Sequence, residues 1–132
     1  MGFSQSKYEL KKGDAQIVVS SSYSFIDVAK LLMEHGYTID KMDTTLSFLT
    51  TLPRGIPSIN GEYYLNIMKK GNQYKIVGMY RFNFTASLAG ISSAKGAYEI
   101  ARYTKRLSPE RRVFNEAWLA ANGIGTLVTV MK

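Results

Sequence analysis

The sequence predicts an α+β fold: an antiparallel sheet of about five to six strands with two helices packed on one of its faces. Three observations carry that expectation. The β-branched run QIVVS at 16–20 leads into a capped amphipathic helix that stops at Gly36. Two period-2 runs, 62–69 and 74–84, are joined by the turn sequence Lys70-Gly71-Asn72-Gln73. A second helix start, Ser108-Pro109-Glu110, is followed after Gly125 by the β-branched stretch TLVTVM.

The first strand is bounded by Gly13-Asp14 on one side and a serine run on the other. Ser24 then reads as an N-cap with Asp27 three residues on, an acidic variant of the capping box. Phe25, Val28, Ala29 and Leu32 fall at i, i+3, i+4 and i+7, so they share the buried face. Gly36 suits a left-handed C-cap. Residues 37–42 and 46–50 alternate around the turn Asp43-Thr44-Thr45 and predict a hairpin. The stretch 53–61, with two prolines and two glycines, predicts a loop between neighbouring strands.

The hairpin of 62–69 and 74–84 is the strongest in the chain. Gly71 and Asn72 accept positive φ, and Tyr74, Ile76, Gly78, Tyr80, Phe82 and Phe84 share the face expected to lie against a helix. Lys75, Val77, Met79, Arg81 and Asn83 share the other. Residues 85–96 turn small and hydroxylic, the composition of a flexible connection. The run 97–105 suits strand or helix, and its alternation with two tyrosines favours strand. The second helix has Ser108 at the N-cap, Pro109 at N1 and an apolar face of Val113, Ala117, Trp118 and Ala121, ending within 122–125. A final strand at 126–131 fits best, with a continued helix as the alternative.

A chain of 132 residues is enough for one core, so 13–132 reads as a single domain behind a polar lead, 1–12, that is disordered or added. The absence of cysteine removes disulfides, thiolate metal sites and a cysteine nucleophile. No apolar run approaches the roughly 18 residues of a spanning helix, so the chain reads as soluble. Its Met-Gly start is also what trimming of a native signal or lipidation segment would leave. The net charge is +7, while residues 69–112 hold ten basic residues against Glu99 and Glu110. All of the net charge therefore lies in that region, which favours acidic partners.

Chemistry-bearing motifs are sparse. The single histidine, His35, sits in the last turn of the first helix, where it complements the helix dipole. The ten acidic residues show no metal-ligand spacing, so neither a metal nor a cofactor is expected. Ser20, Ser21, Ser22 and Ser24 lack an adjacent activating base, and no phosphate-binding glycine motif occurs, so no catalytic residue is assigned and no enzyme is expected. Tyr63, Tyr64, Tyr74, Tyr80, Tyr98 and Tyr103 interleave with basic residues, which suits either half-buried strands or stacking on nucleic acid. The candidate anion- or partner-binding residues are Arg102, Lys105, Arg106, Arg111 and Arg112, which bracket the second helix N-terminus.

The order strand, helix, hairpin, hairpin, strand, helix, with Gly36-Tyr37-Thr38-Ile39, Leu46-Ser47-Phe48-Leu49-Thr50-Thr51 and Val113-Phe114-Asn115-Glu116-Ala117-Trp118, resembles the small α+β domains of bacterial envelope lipoproteins, including BamC-like domains. That resemblance implies a helix-grip or TBP-like sheet, a place in the periplasm or cell envelope with peripheral or lipid-anchored association, and a non-catalytic role. The expected function is a binding or scaffold domain with a protein partner at a sheet face or edge. The alternatives are a basic nucleic-acid-binding module and a carrier of a small apolar ligand held between helix and sheet, with a cytoplasmic setting also open.

Overall fold

The computed structural model describes residues 9–56, 59–84, 94–95 and 97–132. Within them the chain runs β1 (Gln16–Ser20), α1 (Phe25–Glu34), β2 (Ile39–Asp43), β3 (Phe48–Thr51), β4 (Arg54–Gly55), β5 (Gly61–Lys70), β6 (Gln73–Phe84), β7 (Ala94–Lys95), β8 (Glu99–Ile100), α2 (Pro109–Ile124) and β9 (Thr126–Met131). The fold is α+β with every strand pair antiparallel.

Local sequence explains the helices. Ser24 Oγ accepts the Asp27 amide at 3.1 Å and Ser108 Oγ accepts the Arg111 amide at 3.1 Å, so each helix has a side-chain cap worth about 1 kcal/mol. At the end of α1 the Gly36 amide donates to Met33 and the Tyr37 amide to Leu32. That pair is the Schellman pattern, and Gly36 takes φ +92° to make it. His35 occupies the cap position itself, with Nδ1 2.9 Å from the Leu31 carbonyl.

The long β5–β6 hairpin is the spine of the sheet, turning through Gly71 at φ +64°. The main strand order is β2-β3-β5-β6-β1-β9. Thus the first strand lies between β6 and the last strand. Three two-residue strands extend this path, two of them along the spine beyond its longer neighbours: β4 continues beside β5 where β3 stops, and β8 pairs Met79 and Tyr80 of β6 where β1 has ended. β7 pairs the far end of β6. These short segments raise the number of strands above the five to six expected, since eight pair into one sheet and β7 adds a ninth among the described residues. One of them, β4, falls inside the stretch expected to be only a loop. It escapes sequence reading because a two-residue strand has no period.

Other departures are local. Of 97–105, only Glu99–Ile100 is strand, because the next residues leave the sheet to meet the start of the chain: Gly13 donates to the Tyr103 carbonyl and Tyr103 to that of Asp14. The polar lead joins the fold before residue 13, since Leu10 packs against the core and the Lys11 amide donates to Asp14 Oδ2. The expected flexible connection lies outside the described residues except for 94–95, and the Phe84 side chain lies outside them too.

One face of the sheet is sealed. Ile17, Val19, Leu49, Leu65, Ile67, Tyr74 and Ile76 are all fully buried, and they meet Val28 and Leu32 of α1 and Val113, Phe114, Ala117 and Ala121 of α2 in one core. Phe114 and Ile124 complete the α2 stripe, while Trp118 is half-buried at its margin, stacked on Phe114 at 6.3 Å. Thr51 Oγ1 accepts the Leu65 amide at 2.9 Å where the neighbouring strand is interrupted, so a buried donor keeps a partner.

α2 turns into β9 against the first strand, and a Cβ on Gly125 would collide with the Ser20 carbonyl. Gly125→Ala is therefore expected to lower stability by about 1–3 kcal/mol in urea denaturation, and an unchanged midpoint would contradict this close approach.

Candidate functional site

Because strands alternate, burying Tyr74, Ile76 and Gly78 against the helices turns Lys75, Val77, Met79 and Arg81 to the opposite face. Register extends that face across the sheet. Phe48 stands opposite Met68, Met68 opposite Lys75 and Lys75 opposite Val18. A second row sets Asn66 against Val77, and a third sets Tyr64 against Met79 and Met79 against Ile100.

These rows form an apolar surface that neither helix covers. Met68 and Met131 are 44% and 43% exposed, which marks them as surface rather than core. An open hollow of about 330 Å³ is lined by Asn66, Met68, Val77, Met79 and Ile100 together with Gln16 and Lys75. A second hollow, of about 360 Å³, brings Phe48, Tyr64 and Tyr98 together with Asp40 and Lys41. Methionine side chains are flexible and polarisable, so such a surface can adapt to an apolar partner.

The two ends of this face differ. At one end Glu62 pairs with Arg81 at 2.9 Å, the Tyr98 hydroxyl donates to the same carboxylate, and the Arg81 guanidinium lies 4.3 Å over the Tyr98 ring. Tyr98 in turn packs edge-on against Tyr64 with ring centroids 4.9 Å apart. These contacts hold three side chains in one geometry. At the other end Lys70 and Lys75 line a hollow with Val18, Met68 and Met131 and give it a positive rim, while Lys69 stands opposite Tyr74 with its ammonium 5.9 Å over that ring.

The structure places the five predicted basic residues within one segment but gives them unequal roles. Arg111 donates to the Thr104 carbonyl at 2.6 Å and to Asn115 Oδ1 at 3.0 Å, and lies 4.3 Å over the Tyr103 ring. Its guanidinium ties the loop 103–106 to α2. Arg102 donates to the Gly13 carbonyl at 3.1 Å, while its amide is taken by Glu110 Oε2 at 2.9 Å. Lys105 and Arg106 are exposed and Arg112 is half-buried. Two of the five basic side chains therefore serve the fold directly.

Other predicted features are likewise absorbed by structure. Ser21 Oγ donates to the Ile124 carbonyl at 2.7 Å and accepts the Tyr23 amide at 3.0 Å. Tyr63 and Tyr74 are 2% and 0% exposed, so they belong to the core, and the tyrosines do not form one stacking platform. Among the described residues no group of three histidine, aspartate or glutamate side chains is placed to hold a metal. No helix among them is long and apolar enough to cross a membrane.

The apolar surface was legible only in part. The alternation of 74–84 identifies its Lys75, Val77 and Met79 row, but the contributions of Phe48, Val18, Ile100 and Met131 depend on strand order. No protein-family model matches the chain, and no curated protein matches it significantly. Its geometry is therefore the ground for a functional reading.

Burial and the Glu62 contact push the Tyr98 hydroxyl up to about 12 from an ordinary value of 10.0. The fold thus favours the neutral phenol. That contribution is intact below pH ~10 and is lost as the pH rises towards about 12. Tyr98→Phe is expected to remove this loss of stability between those pH values and one late-titrating phenol from the ultraviolet absorbance titration; unchanged curves would contradict the contact.

Proposed function

We propose that this protein is a non-catalytic binding or scaffold domain that holds a protein partner against the open face of its sheet. The observation that carries the reading is the uncovered patch of Met68, Val77, Met79 and Ile100, an apolar surface that the core does not use. The rim of Lys70 and Lys75 favours an acidic partner segment with apolar side chains. The fixed Glu62–Arg81–Tyr98 group at the other end supplies a pre-organised boundary.

The arrangement fits a helix-grip or TBP-like class, supported by α2 lying along β6, β1 and β9. An envelope setting belongs to the same proposal and rests on the resemblance of the 36–51 and 113–118 patterns. The carrier reading has less support, because the space it requires between α2 and the sheet is occupied at Gly78, where Val113 and Ala117 close on the strand. A nucleic-acid module would need the tyrosines on one surface, and Tyr63 and Tyr74 lie on the sealed side.

A photo-crosslinking residue at position 68 or 79 is expected to capture a partner in cells of the source organism, whereas one at the exposed helix positions Ile26 or Met33 is not. Val77→Asp is expected to abolish the adduct from position 79 while changing stability by less than about 1 kcal/mol. Capture only from the helix positions, or capture indifferent to Val77→Asp, would overturn the proposal.

A further inference from the structure

A second recess lies on the opposite side of the molecule, between the C-terminal half of α1 and the middle of α2. It has a volume of about 250 Å³ and an apolar wall of Leu31, Leu32, Leu119 and Ala120. Two side chains of opposite charge, Arg54 and Glu116, line the same recess. No ion pair joins them among the described residues.

Each of these charges is positioned by aromatic groups. The Arg54 guanidinium lies 4.4 Å over the buried Tyr37 ring and makes one long hydrogen bond, 3.4 Å, to the His35 carbonyl. Glu116 Oε1 accepts the Tyr63 hydroxyl at 3.4 Å, and the Tyr63 and Tyr37 hydroxyls are 3.0 Å apart. Burial raises the pKa of both phenols, so they remain neutral and leave the two charges of the recess uncompensated by them. Among the described residues Arg54 makes this one hydrogen bond and Glu116 accepts this one, which leaves their other polar positions open to the recess and solvent. Both groups engage the same tyrosine pair, and both line the one recess.

We propose that this recess binds a small zwitterion with an apolar side chain, the chemistry of a free aliphatic α-amino acid. Its carboxylate meets Arg54, its ammonium meets Glu116, and its side chain lies on Leu31, Leu32 and Leu119. A ligand carrying only one charge engages one side of the site and forgoes the second charge-assisted contact, since Arg54 is exposed and Glu116 half-buried in its absence. The recess is separate from the open sheet face, so the two proposals stand or fall independently.

Calorimetric titration of the full chain with L-leucine tests this, with isoamylamine and 4-methylpentanoate as analogues lacking one charge each. Saturable leucine binding is expected, with each analogue weaker by roughly tenfold or more, as the loss of one charge-assisted contact requires. Arg54→Gln should erase the preference for leucine over isoamylamine, and Glu116→Gln the preference over 4-methylpentanoate. Glu116→Gln retains an acceptor for Tyr63, and thermal melting verifies that both variants are folded. No saturable binding of leucine, equal affinity for the single-charge analogues, or affinity unmoved by both substitutions would overturn the proposal.

Discussion

Helix α2 lies close against the sheet because position 78 has no side chain. A Cβ there would stand 3.0 Å from Val113 Cγ1 and 3.3 Å from the Val113 carbonyl, closer than packed atoms comfortably sit. Ala117 and Ala121, both fully buried, continue this small-residue contact along the helix. With α2 held at this depth, Phe114 and Ile124 reach the core and β9 can return beside β1. The same contact decides which face of β6 is sealed, and therefore which side chains of every paired strand remain outside.

Polar groups at the margins of the core follow from that decision. Tyr63 and Tyr74 enter the core by alternation, and each brings a hydroxyl that needs a partner. Tyr74 finds the Tyr23 carbonyl at 2.7 Å, at the entrance to α1. Tyr63 finds Tyr37 and Glu116, which links the sheet to the end of α1 and to α2. The recess beside this group is thus a consequence of packing two helices over one sheet with tyrosines between them. On the other side, the face without helices keeps its methionines and lysines, and its polar anchor is the Glu62–Arg81–Tyr98 group.

Features determined by near neighbours in sequence were legible. Ser24, Gly36 and Ser108 marked helix ends because capping acts over three or four residues, and Gly71 marked the β5–β6 turn for the same local reason. Features determined by distant neighbours were not. The placement of β1 between β6 and β9 joins residues more than a hundred positions apart, and the pairing of Arg54–Gly55 with β5 depends on β3 having stopped. Arg111 illustrates the same limit at the level of a site. Its position at a helix N-terminus marked it as a candidate anion ligand, yet the loop folded back so that Thr104 and Tyr103 take the guanidinium. Arg54 and Glu116 carried no motif, and only the chain path brings them to one recess.

The division of the sheet into a sealed and an open face is the central claim, and methyl-resolved NMR with a soluble paramagnetic agent addresses it most directly. The methyl groups of Met68, Met79 and Met131 are expected to relax strongly, while those of Leu65, Ile76 and Val113 are left nearly unaffected. Met68 and Met79 methyls as protected as that of Leu65 would contradict the account, since the face would then be covered by the protein itself.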